Sequence, residues 1–282
     1  MQEVRLKVYA KINLSLDIVG ARENMHLLDS VMCSVSLYDE ILAKKTNDGV
    51  VRVFANGDDF SRSNAYKTAI KMQQRYNLGS FTIEITQHIA SGGGLGGSSA
   101  DSAGVIRAIE KLFSLDIPEQ ELREIALTVG SDVPYMLNGG LCRLRGVGDD
   151  LAFYNYGGGE KVLLAGYGEV STAKCFALYD ECGSAVKANN DALINALISG
   201  KKLVECSEYF VNALQNPAVK INSAVGEILS VMSDNGLKCC MSGSGAYCFG
   251  VGEKIEQARA QLQSRGIACA VVTTMPCGIE ME

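Results

Sequence analysis

Between His88 and Gly104 the chain reads HIASGGGLGGSSADSAG, and every residue after Ser91 up to Gly97 is Gly or Leu. Glycine reaches positive φ and lets a ligand approach the main chain, yet it loses more backbone entropy on folding than any other residue. A run this dense is retained only where something offsets that loss. The preceding FTIEIT alternates as a strand does. The following SSADSAGVIRAIEKLF has a helical period, with Ala103, Ile106, Ile109 or Glu110, and Phe113 along one side. The loop therefore ends at a helix N-terminus, where Ser98 or Ser99 is a candidate N-cap. Unpaired N–H groups and the positive end of the helix dipole suit that place to an anion.

Gly92, Gly94 and Gly97 satisfy the G-x-G-x-x-G pattern of dinucleotide-binding loops. Such a unit continues into a second parallel strand ending in an acidic residue roughly 20 positions on. Asp116 has about that spacing, but Pro118 and a helical pattern from Glu119 stand where the strand is required. No Lys follows Gly97, so the P-loop pattern fails as well. What remains is a phosphate cradle of another kind or a flexible connection, and the position before a helix favours the cradle.

Composition narrows the partners. A 282-residue chain that is 47% hydrophobic can bury a substantial core, and a formal net charge of -6 lacks the basic face that DNA or RNA binding requires. No nucleic-acid partner is expected. No apolar run is long enough to span a bilayer, and the N-terminal MQEVRLKVYAKINL has no signal-peptide core, so the expectation is no membrane partner and a cytoplasmic location. Ten Cys without a C-x-x-C pair and only two His, His26 and His88, give neither a disulfide framework nor a zinc cluster. Reduced, mostly buried thiols follow.

From Val4 to Ile18 apolar residues alternate with Glu3, Arg5, Lys7, Tyr9, Lys11, Asn13, Ser15 and Asp17, which predicts a long strand with Lys11 and Asn13 on its polar face. Further strands are expected near residues 31–37, 51–54 and 81–86. A helix is expected from Asn64, capped by Asn64 itself and stopped before Gly79. Another begins near Pro118 and stops at Gly130. Pro134 biases Val133 away from helix, which places Asp132 in a turn. The YNYGGG run near residues 154–159 marks a boundary between domains 1–157 and 158–282. Beyond it the order reads strand 161–167, helices including 191–198 and 219–235, strands 237–241 and 247–251, helix 255–265 and strand 267–273. That is a β-α-β-β-α-β pattern with extra helices in its first crossover.

Singly, these residues are unremarkable. Lys11 reads as a solvated strand residue, Asp132 as a turn former, and SGSG at Ser242 to Gly245 as a hairpin turn. Together, AKINLSLDIVG from Ala10, GGGLGGSSADSA from Gly92, GSDVP from Gly130, GVGDDL from Gly146 and MSGSGA from Met241 resemble the GHMP kinase superfamily. Within it they most resemble the 4-diphosphocytidyl-2-C-methyl-D-erythritol kinases of the non-mevalonate isoprenoid pathway.

The resemblance implies an α+β, two-domain fold, with an N-terminal domain like domain 2 of ribosomal protein S5 and a ferredoxin-like C-terminal domain. It implies ATP and Mg²⁺ as cofactors and a small-molecule alcohol, cytidyl-linked, as acceptor. Lys11 and Asp132 match catalytic positions. Gly92, Gly93, Gly94, Leu95, Gly96, Gly97, Ser98 and Ser99 match the nucleotide loop, Asn64 a residue near the adenine, and Asn13, His26, Thr172 and Phe176 substrate contacts. The family reads Asp-Gly-Tyr-His where this chain reads Arg22 to His26, so Met25 stands where a tyrosine stacks on cytosine opposite Phe176. The metal ligand and the oligomeric state stay open. Phosphoryl transfer asks for positioning and charge stabilisation. Loop N–H groups would hold the phosphates, Asp132 would take the acceptor's proton, and Lys11 would keep Asp132 ionised and attract the phosphoryl group. A GHMP kinase for another alcohol, or a nucleotide or metabolite sensor of this fold without turnover, are the alternatives.

Overall fold

The computed structural model describes residues 2–23, 25–184 and 187–282. Its spine is the strand Glu3–Arg22, paired antiparallel with Met25–Lys45 from Glu3 opposite Lys44 to Arg22 opposite Met25. Alternation governs only the first part, where Val4 and Leu6 are buried and Glu3 and Arg5 exposed; from Val8 to Ile18 every residue is buried. The expected polar face therefore does not reach water. The glycine loop covers it, with Lys11 N donating to Leu95 O, and the short strand Val211–Asn212 pairs parallel with Ser15 and Leu16. Register shifts between Tyr9 and Ala10 and between Asn13 and Ser15 bracket Lys11 and Asn13 and bend the strand there.

The sheet runs in the spatial order Lys238–Met241, Cys248–Val251, Lys161–Gly166, Ala268–Met275, Met25–Lys45, Phe81–Thr86, Arg52–Ala55, Asp58–Asp59. Its first four strands, all antiparallel, come second, third, first and fourth in the chain after residue 160, which realises the β-α-β-β-α-β order. Ala268–Met275 bonds to Met25–Lys45 through Thr274 and Met275, and Ile279–Met281 returns to pair with Leu6 to Val8. One apolar core gathers Ile12, Ile41, Ile83 and Ile106; a second gathers Leu163, Val225, Ile228 and Leu262.

Several local expectations are corrected. The helix Asn64–Tyr76 is capped by Ser63, whose Oγ accepts from Tyr66 N at 3.0 Å, and it stops at Asn77, left-handed at φ 49°, before Gly79 is reached. The helix Gly97–Leu112 begins at Gly96 without a side-chain cap, so Ser98 and Ser99 lie in its first turn. Val133 is helical: Val133–Met136 is one short turn with Pro134 near its start, where a missing N–H costs nothing. The expected helix 219–235 is two, Gln215–Ile221 and Ala224–Asp234, because extended Asn222 breaks it and accepts from Ala224 N. All ten cysteines are free thiols. Among the described residues no helix is long and apolar enough to cross a membrane.

Candidate active site

The glycine loop is wedged between the first strand and the SGSG turn. A Cβ on Gly94, at φ 78°, would lie 2.1 Å from Ser242 O, and one on Gly96 would lie 2.2 Å from Met136 Cε in the helix that follows Asp132. At Gly94 the obstacle is backbone, so only glycine fits; at Gly96 the obstacle is the movable end of a side chain, and the φ of 80° is what favours glycine. Ser242 Oγ donates to Gly94 O at 2.9 Å, and Tyr247 N donates to Gly93 O at 3.0 Å. Leu95 turns its side chain into the core and contributes its carbonyl to Lys11 N.

Lys11 is 3% exposed, so its ammonium needs partners. Its Nζ donates to Asn13 Oδ1 at 2.6 Å and lies 3.5 Å from Asp132 Oδ2. Asn13 is held in turn, since its Nδ2 donates to Ser30 Oγ at 2.8 Å and its Oδ1 accepts from Gly243 N at 3.0 Å. Ser131 and Asp132 form the turn before Val133–Met136, and the Asp132 side chain stays 33% exposed, open to a ligand.

Two cavities meet at the start of the Gly97–Leu112 helix. One, of about 770 Å³, is lined by Lys11, Asn13, Asp132 and the loop glycines, and reaches Met25, His26, Thr172 and Phe176. The other, of about 660 Å³, is lined by Asn64, Arg62, Ile89 and Asp101. Gly97 and Ser98 border both. In the larger cavity the His26 ring stacks on Phe176 at 4.7 Å and its Nε2 is 2.7 Å from Asp180 Oδ1. Thr172 Oγ1 is 2.8 Å from Ser244 Oγ. Lys11, Asn13, Asp132, His26, Thr172, Phe176 and the loop thus share one cavity, while Asn64 faces the other.

The family model described as GHMP kinases N terminal domain matches residues 63–140, and that described as GHMP kinases C terminal matches 191–268. A 4-diphosphocytidyl-2-C-methyl-D-erythritol kinase of Acetivibrio thermocellus is 33% identical over 266 residues, 92% of this chain and 93% of that one. The chain belongs to the GHMP kinases. A kinase of the same name from Clostridium botulinum strain Kyoto is 34% identical over 253 residues, 87% of this chain and 89% of its own. The crystal structure of a 4-(cytidine 5'-diphospho)-2C-methyl-D-erythritol kinase gives a TM-score of 0.79 at 25% identity, over 96% of this chain and 99% of that chain. Homoserine kinase from Cytophaga hutchinsonii shares the fold, with a TM-score of 0.74 at 16% identity over 100% of this chain and 98% of its own. This GHMP kinase therefore has the two-domain α+β fold that the motifs implied.

Sequence reasoning passed over two residues of the site, Asp180 and Asn212, and gave a third, Ser244, only as part of SGSG. Asp180 follows Thr172 and Phe176 at successive steps of four on the helix Thr172–Cys182, and that spacing was the available signal. Asn212 Nδ2 donates to Met241 O and Gly243 O, each at 2.8 Å, and so holds the SGSG turn. Ser244, within SGSG, meets Thr172. Asn212 has no local signal, because its partners lie on other elements; SGSG marks Ser244 but not its meeting with Thr172.

Proposed function

We propose that this GHMP kinase transfers the γ-phosphoryl group of ATP to a hydroxyl of 4-diphosphocytidyl-2-C-methyl-D-erythritol. The observation that carries the reading is the meeting of two cavities at one helix N-terminus, with Lys11 and Asp132 on the wall of only one. In this reading the nucleotide base enters past Asn64, its phosphates cross the loop N–H groups at Gly97 and Ser98, and the acceptor fills the larger cavity. The cytidyl part of the proposal comes from the named relatives and from His26 and Phe176.

Asp132 accepts the proton of the acceptor hydroxyl while that oxygen bonds the γ-phosphorus, and the bond to the β,γ-bridging oxygen breaks to release ADP. Lys11, fixed by Asn13, presents a cation beside both the carboxylate and the moving phosphoryl group. Mg²⁺ supplies charge neutralisation on the phosphates. The residues that would face it are Ser98 and Ser99, whose hydroxyls lie in the first turn of the Gly97–Leu112 helix on the wall of the larger cavity.

A second reading, a GHMP kinase for another small alcohol, is favoured by Met25, which is 49% exposed at the cavity rim and offers no ring to stack on a base. ADP release from ATP and Mg²⁺ with a panel of the cytidyl substrate, sugars and amino alcohols separates the two. Turnover of the cytidyl acceptor is expected. Turnover of a different alcohol alone would replace it, and none with any acceptor would point to a sensor.

A further inference from the structure

Two carboxyls that this chemistry does not use lie buried beside the glycine loop. Asp39, on the Met25–Lys45 strand, is inaccessible to solvent, and Asp101, on the Gly97–Leu112 helix, is 1% exposed. Asp39 Oδ1 accepts the backbone N–H groups of His88 at 2.5 Å and Ile89 at 2.8 Å, where the chain leads into the loop. Asp101 stands one turn beyond Gly97, where the chain leaves it, and its Oδ2 accepts from Gln87 Nε2 at 2.8 Å. The two carboxyls lie close enough to interact, and among the described residues Asp39 Oδ2 and Asp101 Oδ1 have no hydrogen-bond donor. Two ionised carboxylates buried side by side repel, and neither has a proton to donate. One proton between the two donorless oxygens removes a charge and satisfies both atoms.

We propose that Asp39 and Asp101 share a single proton and, so joined, act as positioning residues that tie the two ends of the glycine loop together for the nucleotide. The inference rests on the kinase reading only in naming that ligand. Burial, then the charge of Asp39, pushes the Asp101 carboxyl well above the ordinary carboxylate range. Burial raises Asp39 too, but its Oδ1 accepts two N–H groups that favour the charged form while Asp101 accepts only one amide, so Asp101 is the better seat for the proton. Asp101, Gln87 and Ile89 also wall the smaller cavity with Asn64, Gly97 and Ser98. The tie thus acts where a nucleotide would lie, and it fixes the loop N–H groups before binding.

Two measurements test it. At neutral pH, carbon-13 NMR of protein labelled at the aspartate carboxyls is expected to show one protonated carboxyl, lost in Asp101→Asn; a spectrum with every aspartate ionised overturns the shared proton. Binding of a fluorescent ATP analogue, without acceptor, is expected to weaken about tenfold in Asp101→Ala, the scale of an unpaired buried acceptor. Asp101→Asn, whose amide N–H replaces the proton, is expected to bind within about twofold of the unaltered protein. Unchanged binding in Asp101→Ala, or equal loss in both variants, overturns the positioning role. If Asp101→Ala does not fold, the carboxyl spectra and the binding by Asp101→Asn decide. Neither readout needs an acceptor, so failure of the proposed substrate shows separately, as missing ADP release.

Discussion

Lys11 occupies a strand position that alternation assigns to water, yet it is buried and its ammonium is shared between Asn13 and Asp132. The residue types were legible in the sequence; the burial was not, because the covering comes from the glycine loop and from Gly243, distant in the chain. The same geometry makes Asp132 separable from nucleotide binding, since Asp132 lines only the larger cavity whereas Gly97 and Ser98 border both. Asp132→Asn is expected to bind ATP nearly as before while turnover falls by about 10²–10⁴, the usual contribution of a general base. Turnover of unaltered rate, measured as ADP release, would remove the base from the scheme. Gly94 is a position where the backbone itself is the function. Gly94→Ala adds a Cβ 2.1 Å from Ser242 O at a positive φ, which is expected to cost about 2 kcal/mol or more in urea unfolding. Gly49→Ala provides the comparison, because its Cβ meets nothing within 4 Å although its φ is also positive; equal losses would reduce the effect at Gly94 to φ alone.

Elements with a strong stripe were readable, and those that serve a cavity were less so. The Gly97–Leu112 helix, buried on nearly every side, announced itself by the periodicity of its larger apolar residues. The helix Thr172–Cys182 buries only Cys175, so it shows no apolar stripe, and its functional face of Thr172, Phe176 and Asp180 is marked by spacing alone. Asp180 carries a prediction at this scale. Its contact with His26 Nε2 holds the imidazole against Phe176, so Asp180→Ala is expected to raise KM for the acceptor about threefold to tenfold, the net worth of one ordinary hydrogen bond. KM for ATP is expected to stay where it was, because the nucleotide is assigned to the opposite side of the helix start. Asp180→Asn, which keeps an acceptor oxygen, should recover most of the loss. A parallel rise in both KM values would show that the helix itself had shifted.

Across the whole molecule, the order of strands after residue 160 could be read from the sequence, but the docking of the two halves could not, because polar contacts between remote positions leave no periodic trace. Asn13 and Gly243 are 230 positions apart and 3.0 Å from contact atom to contact atom. That bond, with Ser242 on Gly94 and Tyr247 on Gly93, makes one site from the first strand, the loop and the SGSG turn. Asn212 holds the turn from behind: one buried amide donates to both Met241 O and Gly243 O, and its Oδ1 accepts from Leu214 N. Asn212→Asp keeps the size and the acceptor but removes both donors and sets a carboxylate oxygen against two carbonyls. Leaving two buried acceptors unpaired costs about 1–3 kcal/mol each before any relaxation, so the urea midpoint should fall clearly. If the turn positions Asn13 and through it Lys11, kcat should fall with the midpoint even under conditions where the variant is fully folded by circular dichroism. A lower midpoint with unchanged kcat would mean that Asn212 stabilises the fold alone and that Lys11 takes its geometry from the strand without the second half of the chain.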